Sequence, residues 1–106
     1  MEQPNLDYIE EIAGGDPLIV AQFVDIIKKE FPVELEQYHK LIELRDSDLA
    51  AALVHKLKHK ISILGLTKGY DLAVAHEDAL KQADFDLSPQ FVLVLDAITL
   101  FLTPNS

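Results

Sequence analysis

The stretch LAAALVHKLKHKISILG, Leu49 to Gly65, decides the fold of this chain. Its aliphatic residues recur at helical steps. At about 100° per residue, Leu49, Ala50, Leu53, Leu57, Ile61 and Leu64 fall within one sector roughly 120° wide, the width of a core-facing stripe. His55 falls about 170° from the middle of that stripe, so the spacing predicts an exposed histidine in mid-helix. On the same face stand Asp48, Ala51, Ala52, Lys58, His59 and Ser62. Ala51 and Ala52 leave the imidazole unshielded and let another protein surface come close. Lys58 and His59, at i+3 and i+4, are within reach of a group attached to His55.

The helical pattern continues in both directions. Asn5 or Asp7 can cap a short first helix bearing Leu6, Ile9 and Ile12, which Gly14-Gly15 ends. Asp16-Pro17 is a cap followed by proline at the first helical position. From there Val20, Phe23, Val24, Ile27, Phe31, Leu35, Tyr38 and Ile42 keep one phase across Pro32, which predicts a single long helix kinked at the proline. Arg45-Asp46-Ser47-Asp48 makes a polar turn and caps the His55 helix, and Gly65 closes it. A fourth helix from Thr67 to about Ala83 carries Tyr70, Ala73 and Leu80. Ser88-Pro89 repeats the cap-plus-proline signal before a last helix bearing Phe91, Leu95, Ile98 and Leu102. No strand exists to pair with the Phe-Val-Leu-Val-Leu run that opens it. The expected fold is all-α: an antiparallel up-down four-helix bundle with a short additional N-terminal helix as a lid, one domain over residues 1–106.

Composition narrows the function. A chain of 106 residues, 49% of them hydrophobic, can build one core without metal or disulfides. There is no cysteine, which removes thiolate chemistry. The start, Met1-Glu2-Gln3-Pro4, lacks the pattern of a signal peptide, and Phe91 to Leu102 is too short to span a bilayer. A soluble, cytoplasmic, stand-alone protein is the expectation. The formal net charge of −9 weighs against nucleic acid and anionic membrane surfaces. Lys56, Lys58, Lys60 and Lys68 form a positive island around His55 and His59, a suitable place for a phosphoryl group.

The chemistry agrees. A neutral imidazole nitrogen is a competent nucleophile near neutral pH. Phosphoryl transfer asks mainly for in-line positioning and charge stabilisation of the phosphoryl oxygens. Lys58 offers the second, and no carboxylate is expected in the same cluster to serve as a general base. His55-x-Leu57-Lys58, with Leu64-Gly65 nine and ten positions after the histidine, resembles the signature of histidine-containing phosphotransfer (HPt) domains. The resemblance extends over essentially the whole chain. It implies a phosphorelay intermediate rather than an enzyme. His55 would be the phosphoacceptor, taking its group from a receiver-domain aspartate and passing it to another. Lys58 would stabilise the phosphohistidine. Response-regulator receiver domains and a hybrid histidine kinase would be the partners, approaching the long second helix and the His55 helix over Ala51, Ala52 and Ser62. The chain would need no cofactor, since Mg²⁺ would sit on the receiver, and it would act as a monomer. At position 59 such domains usually keep glycine. His59 stands there instead, where it can crowd a docked receiver or donate to the phosphoryl group. Lys60 points near the core edge and is expected to snorkel outward.

Other readings are weaker. His55 and His59 have the spacing of a zinc pair, but no third ligand is expected on that turn, and the lysines repel a cation. No metal site is expected. A docking or scaffold module without phosphotransfer is the main alternative. A hydrolase lacks its acid–base pair. His39 and His76 are expected on helix surfaces, His76 in polar contact beside Glu77 and Asp78. Leu93 and Leu100, opposite the last core stripe, would meet the N-terminal helix or a second copy.

Overall fold

Asp16 begins the longest helix as its sequence requires. Its Oδ1 accepts the Leu18 N–H at 2.9 Å, and Pro17 fills the first helical position, where no N–H is needed. The computed structural model describes residues 2–103, and among them five helices and no strand. They are α1 (Asp7–Ile12), α2 (Pro17–Glu43), α3 (Ser47–Ile63), α4 (Thr67–Lys81) and α5 (Ser88–Leu102). Pro32 lies inside α2, which continues through it. The apolar phase explains why: Ile27, Phe31 and Tyr38 lie on one buried face, and a break at Pro32 would pull them apart.

The connections are short and bent by backbone that few residues tolerate. Gly14 and Gly15 end α1 with φ of 61° and 79°. Arg45 ends α2 at φ 57°, its guanidinium 4.7 Å from the centre of the Phe85 ring. Asp46 then caps α3 by accepting the Leu49 N–H at 3.2 Å. Gly65 turns the chain from α3 into α4 at φ 78°. A Cβ there would be strained by that φ and would have to push aside the Asn5 side chain, 2.6 Å away.

α4 has no cap of its own. Glu2 supplies one from the N-terminal segment, accepting the N–H groups of Lys68 and Gly69 at 2.9 and 3.0 Å. The Asn5 N–H donates to the Leu64 carbonyl at 2.8 Å, strapping the same corner. Asn5 also accepts the Asp7 N–H at 3.1 Å and so helps begin α1.

α3 packs most closely on α4 and also on α2, α4 on α5, and α5 closes on α2, while α1 lies against α2. Phe31 and Tyr38 of α2, Leu57 and Ile61 of α3, Leu80 of α4, and Phe91, Leu95 and Ile98 of α5 meet in the centre. Several expectations need correction. Leu49 is 57% exposed, whereas Ala51, placed on the outer face, is 3% exposed. The buried arc of α3 runs from Leu53 through Val54 to Ala51, because two helices flank α3 and the arc extends toward α4. Tyr70 is partly exposed rather than in the core. Ser88 is no cap: Leu87 precedes α5, and the Ser88 hydroxyl lies buried 2.7 Å from the Tyr38 hydroxyl. His76 is no surface residue: it is fully buried, its Nε2 2.8 Å from the same Tyr38 oxygen. Leu93 and Leu100 are 53% and 77% exposed and lie near Glu2 and Gln3.

Candidate functional site

With its buried arc turned toward α4, α3 carries His55 just over the lip of the α3–α4 seam. The side chain is 58% exposed, as the spacing predicts. What the spacing does not predict is a carboxylate beside it. Glu77 reaches across from α4 with its side chain 8% exposed, and its Oε2 lies 3.3 Å from His55 Nδ1. Its Oε1 receives the Lys58 ammonium at 2.8 Å, and Lys81, one turn along α4, lies 3.4 Å from Oε2. The expected absence of a carboxylate from the His55 cluster is therefore wrong. A signal was present: Glu77 lies four residues after Ala73 and three before Leu80, on the apolar stripe of α4. A charge on a core stripe must find a partner.

The electrostatics of Glu77 follow from that position. Burial by itself would raise its carboxyl, but hydrogen bonds from Lys58 and Lys81, and the Lys58 charge, hold it below the usual carboxylate range. The hydrogen bond to Glu77 raises the Lys58 ammonium in turn, against the opposing effect of burial. Glu77 is thus ionised at neutral pH. An ionised carboxylate only accepts, so it selects the His55 tautomer with hydrogen on Nδ1 and leaves the Nε2 lone pair free. Among the described residues Nε2 has no hydrogen-bond partner, and the side chain that carries it is 58% exposed.

The remaining candidates distribute around this pair. His59 is exposed, and its ring stands edge-on to that of His55, centroids 5.6 Å apart and planes at 87°. It lines a groove whose far wall is α2, including Lys29, Val33 and Gln37. Ala52 and Ser62 are exposed near His55 on α3, as a docking surface requires, but buried Ala51 is not part of that surface. Lys60 sits at the core edge without snorkelling free, its ammonium 2.9 Å from both Glu30 and Glu34 of α2. Burial lowers the Lys60 ammonium, but the two carboxylates outweigh it and the net direction is upward. His39 is exposed, as expected. Among the described residues no group of three or more His, Cys, Asp or Glu side chains is arranged to hold a metal ion, and no helix is long and apolar enough to cross a membrane.

A helical bundle that displays one imidazole, its Nδ1 on a carboxylate and its Nε2 open, has the form of a histidine phosphotransfer module. The Hpt domain family model matches residues 22–101, from the first turns of α2 to the end of α5, and the chain belongs to that family. Neither the comparison with curated proteins nor that with solved structures yields a match. Membership places the chain among the phosphotransfer carriers of two-component phosphorelays.

Proposed function

We propose that this chain carries phosphoryl groups on Nε2 of His55, receiving them from the aspartyl phosphate of one receiver domain and delivering them to the aspartate of another. The observation that supports this reading best is the Glu77 carboxylate at His55 Nδ1. The Nε2 lone pair forms a P–N bond as the P–O bond to the receiver aspartate breaks, and that aspartate leaves as a carboxylate. The imidazole becomes a phosphoimidazolium that keeps its Nδ1 hydrogen. Glu77, ionised and opposite that hydrogen, stabilises the positive charge that develops on the ring. Transfer onward reverses these steps.

Lys58 supplies the charge that phosphoryl transfer needs. Its ammonium has three donors, so it can bind a phosphoryl oxygen while keeping its bond to Glu77. Receiver domains, one of them in a hybrid histidine kinase, dock over Ala52, Ser62 and the facing turns of α2. Mg²⁺ comes with the receiver, and the chain works as a cytoplasmic monomer with no kinase or hydrolase activity of its own.

The test is transfer from a phosphorylated receiver domain in the presence of Mg²⁺. The expected product is an acid-labile, base-stable phosphate on this chain, lost in His55→Gln and retained in His39→Gln. A label that persists without His55 would falsify the assignment of the acceptor. Folded protein that takes no phosphate from any receiver of its source organism overturns the carrier reading in favour of a docking module.

A further inference from the structure

Two donors flank His55 on α3, and they are not equally available. Lys58 leans toward α4, where its ammonium is bound to Glu77 at 2.8 Å and its side chain is mostly covered. His59 leans the other way, toward α2, and is exposed. On a helix of 100° per residue the two stand roughly 60° and 40° to either side of His55, so a group on its outer nitrogen lies between them. The edge-on packing of the two rings puts the rim of one imidazole at the face of the other. Among the described residues no carboxylate pairs with His59.

We propose that His59 is a second phosphoryl-binding residue: it takes up a proton when His55 is phosphorylated and holds the phosphoryl oxygens from the flank that Lys58 leaves open. The inference rests on His55 being the phosphoacceptor. The charged groups around His59 account for its proton dependence. Across the groove on α2, Lys29 is a cation, and Glu30 and Glu34 are both engaged by Lys60. On α3, Lys56 adds a second free cation. On α4, Glu77 is taken up by Lys58 and Lys81. Lys29, Lys56 and Lys60 thus outnumber Glu30 and Glu34 along the groove, which carries no net negative charge before phosphorylation. A phosphoryl group brings a charge of about −1.5 to −2 into the gap. An opposite charge within about 4–6 Å favours the protonated ring.

The linkage has a definite sign. The phosphorylated chain binds one more proton than the unphosphorylated chain over the interval between the two His59 midpoints, so acidification favours the phosphorylated form. The gain is complete below the midpoint of the unphosphorylated chain and vanishes above the raised midpoint of the phosphorylated one. His59 acts here as a positioning and charge-balancing group, not as the nucleophile.

The experiment uses the intact chain and phosphoramidate as a small-molecule donor, so that no receiver is needed. The His59 ring signals are titrated by NMR with and without phosphate on His55, and the phosphorus signal of the phosphohistidine is followed over the same range. The His59 titration curve is expected to move to higher pH on phosphorylation. The phosphorus signal should show an inflection at the midpoint of that curve which His59→Gln removes. In His59→Lys, whose charge is fixed, the inflection should also disappear. An unmoved His59 midpoint in a chain that carries phosphohistidine overturns this inference and leaves His55 as the carrier. A chain on which His55 takes no phosphate, from phosphoramidate or from a receiver, overturns the carrier reading itself.

Discussion

His55 and His76 show what one side chain becomes in two settings on packed neighbouring helices, α3 and α4. His55 sits on the lip of the α3–α4 seam with a carboxylate at Nδ1 and its side chain 58% exposed. His76, the residue before Glu77 on α4, is sealed in the core among Tyr38, Ser88 and Phe91. Burial lowers the His76 imidazolium, with Asp84 opposing weakly, so the buried ring is neutral. Neighbouring residues on one helix thus serve opposite ends. Glu77 turns toward α3 to prepare a reactive ring, and His76 turns inward to fix how α2, α4 and α5 meet. An exposed nitrogen with a fixed tautomer can do chemistry; a buried one that is hydrogen-bonded can only hold structure.

Losing either ring should have opposite consequences. His76→Ala removes a fully buried ring and leaves the Tyr38 hydroxyl without that partner, at an expected cost of about 2–4 kcal/mol of stability. The folded fraction should still label at His55. His55→Gln should lose all label and change stability by no more than about 0.5 kcal/mol, since the site is exposed. Denaturant melts read beside labelling decide it; a His76→Ala chain that melts like the parent removes its structural role.

Glu77→Gln should blur the contrast, because Glu77 belongs to both the seam and the site. The neutral amide can still accept from Nδ1, but it cannot balance the phosphoimidazolium or the Lys58 charge. Single-turnover transfer should slow by about 10–100-fold, the range known for carboxylates that orient a metal-ligating histidine. Stability should fall by about 1–3 kcal/mol as Lys58 loses its partner. Unchanged transfer with reduced stability would make Glu77 a structural residue only.

Acid should separate the two regions. His76 has a folded-state pKa below its unfolded one, so its contribution is full above the unfolded value near 6.5 and is lost as pH falls toward the depressed folded value. Glu77 is also depressed, so its contribution is full above about 4.3 and is lost only as pH falls through its lowered folded value. Stability measured against pH should therefore decline in two stages, the upper one absent from His76→Leu and the lower one reduced in Glu77→Gln. A single stage that neither variant alters would contradict both assignments.

The five helices, the cap at Asp16, a cap within Arg45-Asp46-Ser47-Asp48, and the exposure of His55 are legible in the sequence because each depends on spacing within one helix. Glu77 is not, since its approach to His55 and Lys58 depends on how α4 lies along α3, 22 positions away in the chain. The same limit misplaces Ala51 and Leu49. A helical wheel assumes one neighbour, and α3 has two. Glu2 escapes for a related reason: nothing near Lys68 and Gly69 in the chain announces that their cap arrives from the N-terminal segment.

The smallest effect concerns the direction of the hydrogen-bond chain through His76, Tyr38 and Ser88. Tyr38 has one hydroxyl hydrogen to give, and His76 Nδ1 is buried with no protein partner. If Tyr38 donated to His76, the hydrogen of His76 would lie on Nδ1, an orphaned N–H in the core. If His76 Nε2–H donates to Tyr38, and Tyr38 donates to Ser88, only a lone pair is left bare, which interiors tolerate more readily. The second arrangement follows. Ser88→Ala then removes the acceptor of the Tyr38 hydrogen and should cost about 1 kcal/mol, with His55 labelling untouched. Nitrogen NMR of the ring should report the Nε2–H tautomer in parent and variant alike. An Nδ1–H signal would reverse the chain, and with it the reason Ser88 stands inside α5 rather than at its cap.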